Sequence, residues 1–440
     1  MIDREKNRWT GILLLAVFFL LSGALPACGR DADQEQAEAV PDMDSWEQDF
    51  AVDSMGAESM NAADPENADG TEPGDGGFTA EDRMEFNEIR EMFGENCIAE
   101  QTFEVELSEY EGKVWFVPFA PSEENPDFSI QIIQDGEVLW NTQYTQALDA
   151  AEGKAFTSLD AVYFGDLNYD DCTDILLIET FGNIQFAGVY YGFDTDAPEY
   201  DRYFECGSQL NENIYLAADQ MTVPCVVELL TNGKINGGFT SWQEAYTEVS
   251  RLYDLEHRHP GEWSEDDIIR LDVEYDLVDV DGDDIPELAA GVNDYFVSLY
   301  TYHDGKVYCL MNQWGYGAGG NSGYYYLPGK NRLLNYNTDY AGLILYTTYM
   351  TVNSEYTIES ETIKLINFDD RNGNGLPDGD EEDSAGDVSV LYNSDGVEIT
   401  REEYEKEYAD WKEDEYEHLS GGMVYEDLQS LLRQADIRQP

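Results

Sequence analysis

Three short segments set oxygen-bearing side chains on alternate residues, and that spacing constrains the fold more than any other feature of the chain. Asp166, Asn168, Asp170 and Asp174 read D-x-N-x-D-x-x-x-D; Asp279, Asp281, Asp283 and Glu287 read D-x-D-x-D-x-x-x-E; Asp370, Asn372, Asn374 and Asp378 read D-x-N-x-N-x-x-x-D. So many polar groups cannot enter a core. A tight loop turns alternate side chains toward one centre, which suits Ca2+, a hard cation that takes about six to eight oxygens. The seventh position, Cys172, Ile285 or Leu376, adds a backbone carbonyl. The competing reading is an Asp- and Asn-rich turn that needs no metal, because these side chains bond their own backbone.

The surroundings of the first two segments repeat. Each is entered from a strand pattern, Val162 to Phe164 or Tyr275 to Val278, and left by another, Ile175 to Ile178 or Leu288 to Ala290. After a short turn comes an aromatic strand pattern, Phe186 to Tyr191 in one copy and Tyr295 to Tyr302 in the other. Leu159-Asp160 and Leu271-Asp272 precede the two loops at nearly equal distances. The unit is a strand, a loop and two further strands.

The run from Val278 to Gly291, VDVDGDDIPELAAG, resembles the FG-GAP and VCBS repeats of integrin-like surface proteins, and Phe164-Gly165 before Asp166 fits the same pattern. The resemblance spans roughly 35 residues per copy. It implies calcium loops between the strands of a propeller blade and a role in adhesion or carbohydrate contact. Asp171 and Asp284 stand where the family has glycine, a left-handed position that Asp reaches at some cost. Two copies are too few to close a propeller. Over its length the chain is similar to uncharacterised lipoproteins of gut Firmicutes that carry such repeats. The third segment keeps its glycine, Gly375, and sets Glu381 at the twelfth position, so it resembles an EF-hand loop despite Pro377 and the lack of flanking helices.

At the N-terminus, Arg4, Lys6 and Arg8 precede an apolar stretch from Ile12 to Leu21, which runs on to Leu25-Pro26-Ala27-Cys28. Charged, apolar, small, cysteine is the order of an export signal. It is similar to the lipobox of bacterial lipoproteins, with Pro26 a departure, and implies removal of residues 1–27 and a lipid on Cys28. The stretch is too short for a retained membrane helix. Between Asp31 and Asp75 lie fifteen acidic residues and no Lys or Arg, a composition that extends by self-repulsion. The whole chain carries 93 acidic against 23 basic residues, a net charge of -70, which disfavours nucleic acid as a partner.

Beyond the tether, Thr79 starts a helix with Met84, Phe86, Ile89 and Phe93 as its apolar positions. Strand periodicity follows at Phe103 to Leu107, Val114 to Phe119 and Phe128 to Ile133, with hairpin turns at Asp135-Gly136 and Asp304-Gly305. One helix interrupts this pattern in mid-chain, begun by a Ser241/Glu244 capping box. Thr400 with Glu403 begins another, and a last one uses Val424, Leu428, Leu431 and Leu432. Cys206 with Cys225 is the one disulfide the spacing suggests testing, and His257 and His259 read as solvated near Pro260. Carboxylate pairs are everywhere in such a chain, so none marks a hydrolase.

The expected architecture is α+β and predominantly antiparallel β. Its parts are residues 1–27 as signal peptide, 28–78 as acidic tether, 79–240 as helix and first β module, 241–368 as helix and second β module, and 369–440 as a calcium-loop-like segment with C-terminal helices. The expected function is calcium-dependent binding without catalysis at the outer face of the cell membrane. There the protein is held by its lipid and presents a Tyr- and Trp-rich surface to a glycan, cell wall or protein. The alternatives are a surface glycoside hydrolase or peptidase, or a structural spacer of an envelope complex.

Overall fold

The computed structural model describes residues 80–108, 110–123, 125–142, 148, 151, 153–193, 203–257, 273–293, 295–317, 321, 323–377, 381, 386, 389–411 and 415–436. The expected signal peptide (residues 1–27) and acidic tether (28–78), with Cys28, and also Thr79, Leu271-Asp272, His259-Pro260 and Asp378 lie outside the described residues. Residues from Glu81 onward belong to one compact unit. It is mostly antiparallel β-sheet with a few helices, and the described residues close neither a barrel nor a propeller. No described helix is long and apolar enough to cross a membrane.

Helix α1 (Ala80–Phe93) leads into a four-stranded meander of β1 (Phe103–Glu106), β2 (Lys113–Phe119), β3 (Ser129–Gln134) and β4 (Glu137–Asn141). A second meander contains β5 (Phe156–Gly165), β6 (Asp174–Phe181), β7 (Ile184–Phe193) and β8 (Tyr203–Cys206). Three helices follow, α2 (Ser208–Ala217), α3 (Val223–Thr231) and α4 (Trp242–His257). A third meander contains β9 (Glu274–Val278), β10 (Glu287–Val292), β11 (Phe296–His303) and β12 (Lys306–Gly315).

A seven-stranded sheet completes the fold with β13 (Tyr324–Leu327), β14 (Arg332–Asp339), β15 (Ile344–Val352), β16 (Ile358–Ile366), β17 (Val390–Tyr392), β18 (Glu398–Ile399) and β19 (Glu417–Leu419), the last bonded to β13. Helix α5 (Arg401–Glu407) precedes β19, and α6 (Tyr425–Asp436) follows it. Both expected hairpin turns form, with positive φ at Asp135 and Gly136 and at Asp304 and Gly305.

The layers follow from strands that are apolar on both faces. On β6, Leu176 and Ile178 pack toward the helices, while Ile175, Leu177 and Phe181 pack toward Phe116, Ile130 and Ile132 of the first meander. On the other side of the helices, Leu288 and Ala290 join the helical core, and Ala289, Val297 and Leu299 pack on Leu333 and Met350 of the large sheet. Tyr246, Val249, Leu252 and Tyr253 of α4 lie in the central core with Leu428 and Leu432 of α6. The outer layers are α1 on Val117 and Ile133, and Tyr404 and Tyr408 on Leu334 and Tyr349.

Four expectations are corrected. Three helices, not one, interrupt the strands: α3 carries Pro near its start and closes on Asn232 in the left-handed region, and α2 has no side-chain cap to announce it. The C-terminal region is not simply helical, because β17, β18 and β19 supply both edges of the large sheet. Ser241 Oγ accepts the Glu244 N–H at 3.2 Å, but the Glu244 carboxylate bonds the backbone and hydroxyl of Thr240 instead of closing the box. Cys225 is a free thiol.

The remaining helix starts hold in part. Thr400 and Glu403 form the reciprocal box. On α6, Leu428 and Leu432 are buried while Leu431 is exposed, as is Val424 just before the helix.

Candidate metal-binding loops

The first segment joins β5 to β6, the second joins β9 to β10, and the third lies between β16 and β17. They share one backbone course. The fourth residue of each, Tyr169, Gly282 or Gly373, has φ of 67°, 81° or 73°, and the sixth, Asp171, Asp284 or Gly375, has φ of 66°, 73° or 72°. Asp thus occupies the left-handed position twice, at the cost the sequence implies.

The hydrogen bonds repeat in step. The first Asp accepts the N–H of residue four in every loop: Tyr169 to Asp166 at 2.7 Å, Gly282 to Asp279 at 2.8 Å, Gly373 to Asp370 at 2.8 Å. The third side chain accepts the N–H two residues on, at 3.3 Å for Asn168, 3.1 Å for Asp281 and 2.9 Å for Asn372. The fifth does the same at 2.8 Å for Asp170, Asp283 and Asn374. Each loop is therefore held in one course by the same series of side-chain-to-backbone bonds, although among the described residues only Asp281, Asp283 and His303 bring ligand atoms together.

A buried acid backs each loop. Asp174 accepts the Leu167 N–H at 2.6 Å and the Gly192 N–H at 3.0 Å. Glu287 accepts the Val280 N–H at 2.7 Å and the Thr301 hydroxyl at 3.2 Å. In the third loop Glu381 takes this part, accepting the Arg371 N–H at 3.0 Å from the twelfth position. All three acids are buried.

Burial pushes Glu287 up to about 8, with the Val280 N–H opposing and the charges of Asp281 and Asp283 adding to the rise. Burial likewise holds Asp174 well above the ordinary carboxylate range, with Asp170 contributing, and it raises Asp166 and Asp281. Burial thus favours the neutral form of these acids.

The loops also hold the layers together. Asn236, in the connection from α3 to α4, donates to the Tyr169 carbonyl at 3.1 Å and to Asp171 Oδ1 at 3.1 Å, and its Oδ1 accepts the Val307 N–H of β12 at 2.9 Å. The second loop is bonded to the turn between β13 and β14: Gly329 N–H donates to the Asp279 carbonyl at 2.8 Å and Asn331 N–H to the Val280 carbonyl at 2.7 Å. A β-carbon on Gly282 would come within 3.1 Å of the Gly329 carbonyl oxygen, so glycine suits this seat for contact as well as for φ.

Each loop has a different cationic or nitrogen neighbour. Lys306 pairs with Asp171 beside the first. Lys364 lies beside the third, where a β-carbon on Gly375 would be 3.4 Å from its Nζ. Beside the second, Asp281, Asp283 and His303 bring ligand atoms within 4.8 Å of one another, a group that could hold a metal ion. Sequence reasoning missed His303. Strand register reveals it: Leu288 pairs with Tyr300, which sets Thr301 and His303 on the face of Glu287.

Two side-chain expectations change. His257 is not simply solvated: its ring stacks on Tyr253 at 4.2 Å. The described tryptophans do not form an exposed surface, since Trp115, Trp140, Trp242, Trp314 and Trp411 are half-buried against Phe93, Tyr190, Tyr246, Tyr324 and Tyr349 respectively. Tyr336 and Tyr340 are exposed aromatics of the large sheet and its turn. No family model matches the chain, and no curated protein and no solved structure is significantly similar to it.

Proposed function

We propose that this chain is a lipid-anchored extracellular protein that binds calcium in its three loops and serves as a scaffold for a glycan, cell-wall or protein ligand. The observation that carries the calcium reading is the common hydrogen-bonded loop: alternate Asp and Asn side chains bonding the loop's own backbone beside a buried acid, in three loops of different sequence context. Asp166, Asn168, Asp170 and Asp174 would supply the first site and Asp279, Asp281, Asp283 and Glu287 the second. Asp370, Asn372, Asn374 and Glu381 would supply the third, with Asp378 the ninth-position alternative.

Calcium would neutralise carboxylates that burial and mutual repulsion now raise, and would stabilise the folded state by mass action. Extracellular modules work at dissociation constants of about 10⁻⁴ to 10⁻³ M, matching the plentiful calcium outside cells. The export signal and the acidic tether support the same address, with Cys28 as the lipidated residue. The first two loops, each between the first strands of a four-stranded meander, support the repeat reading of the FG-GAP or VCBS type. The ligand surface would be centred on the exposed Tyr336 of β14 and Tyr340 of the turn that follows it.

Thermal melts of the whole chain with calcium and with EGTA test the central point. An upward shift with calcium, reversed by EGTA, is expected; superimposable curves would reject calcium binding.

A further inference from the structure

We propose that the second loop, alone of the three, takes a first-row transition ion of the Zn2+ class through the imidazole of His303. This rests on the reading of the loops as cation sites and divides them by chemistry. An all-oxygen set favours calcium, whereas an imidazole added to carboxylates shifts preference toward ions that accept nitrogen.

The placement of His303 carries the inference. It is the last residue of β11, directly before the Asp304-Gly305 turn, and reaches the loop from a different strand. Its Nε2 lies 3.7 Å from Asp283 Oδ2, and the ligand atoms of Asp281, Asp283 and His303 all fall within 4.8 Å of one another. Around a tetrahedral ion with bonds of about 2.1 Å, ligand atoms stand about 3.4 Å apart, so small side-chain movements close the site.

One face of the ring is covered, and the covering ring is itself packed. Tyr356 stacks on it at 4.0 Å and 14°, and Tyr308 lies against Tyr356 at 4.6 Å. Tyr356 keeps a φ of 59°, a position few non-glycine residues hold without reason. Thr301 Oγ1 is 3.3 Å from His303 Nε2 and 3.2 Å from Glu287 Oε1, so one hydroxyl touches both the imidazole and the buried acid.

The other loops lack this nitrogen. Ile175 pairs with Tyr190 in the first sheet as Leu288 pairs with Tyr300 in the second, so Phe193 stands where the second sheet has His303. The third loop has the Lys364 ammonium nearby, which cannot act as a ligand while charged.

Titrating the whole chain with Zn2+ in saturating calcium, and with Co2+ as a visible-absorption probe, tests the assignment. His303→Phe copies the first sheet and keeps an aromatic ring against Tyr356; His303→Asn is the second variant, for use if the first fails to fold. The expected result is one Zn2+ per chain that competes with calcium at a single site, a Co2+ spectrum showing nitrogen ligation, and a roughly 100-fold weaker Zn2+ affinity in either variant with the calcium response of the other loops intact. Zn2+ binding unchanged by both variants, or several weak Zn2+ ions spread over surface carboxylates, overturns the proposal. A calcium response without any His303-dependent Zn2+ site rejects this inference alone, whereas no response to calcium rejects the broader reading.

Discussion

Lys306 Nζ lies 2.7 Å from Asp171 Oδ2, so a strand of the third meander lends a positive charge to the left-handed turn of the first loop. The pair spans 135 residues of sequence and stands beside Asn236, which bonds the same turn and the same strand. Both partners are partly exposed, so the ion pair itself contributes little stability. Its larger effect falls on the loop's electrostatics. Lys306→Met should raise the calcium affinity of the first loop by about two- to fivefold at low salt, because a competing cation is gone. Calorimetry at two ionic strengths checks this, and an affinity that fell would show that the lysine organises the loop.

Asn236→Ala removes the amide that ties the Tyr169 carbonyl and Asp171 to Val307. Leaving these polar groups unpaired should cost about 2 to 3 kcal/mol. Hydrogen exchange should rise first at the Val307 amide. If only the melting temperature moved and that amide stayed protected, the junction would not depend on Asn236.

The metal-free protein should lose stability as pH rises from about 5 to 8. Folded Glu287 keeps its proton until about 8, whereas the unfolded residue loses it near 4.5, so the folded state binds more protons across that window. Stability contributed by the neutral acid is therefore complete below the lower value and declines through the higher one, on the order of 4 kcal/mol at most from this group. Asp174, Asp166 and Asp281 push in the same direction. Calcium should reverse the trend, because its ligands must be deprotonated. Glu287→Gln should flatten the metal-free profile and remove calcium binding at the second loop. Chemical denaturation from pH 5 to 8, once with EGTA and once with calcium, reads all three effects.

Gly282→Ala should destabilise by about 1 to 3 kcal/mol, through a φ of 81° and a 3.1 Å approach to the Gly329 carbonyl. Gly136→Ala tests the φ effect alone, since nothing lies within 4 Å of its would-be β-carbon. Equal losses in the two would mean that the contact with Gly329 adds nothing.

Tyr336→Ala should weaken glycan binding by up to about tenfold while leaving the melting temperature nearly unchanged, since this ring is 47% exposed. A glycan panel on the wild type and the variant checks it, and equal retention of every glycan would remove the Tyr336 surface from consideration.

Legibility followed the range of the signal. The hairpins at Asp135-Gly136 and Asp304-Gly305 were readable because turn chemistry and period-two patterning act within a few residues. The acid behind the third loop was readable as Glu381 from its twelfth position alone. Helix α2 was not, since its apolar residues Leu210 and Ile214 are spaced helically but lack a capping side chain. Neither His303 nor Asn236 could be found by local pattern. Each acts across strand register or between layers, and such distances enter the sequence only through pairings that no single segment encodes.

In the three four-stranded meanders each strand pairs only with strands next to it in sequence, whereas β19 closes on β13 from nearly a hundred residues away. The same short stretch continues into Met423, whose backbone exchanges hydrogen bonds with Tyr275 at the edge of β9. The meanders need only short hairpin closures and can form in order as the chain emerges. The large sheet must wait, with the edge of β13 open, until residues 417–423 arrive to seal it and join it to the third meander. Folding is thus quick and local at the start and long-range at the end, and the chain is most prone to edge-to-edge association just before that last closure.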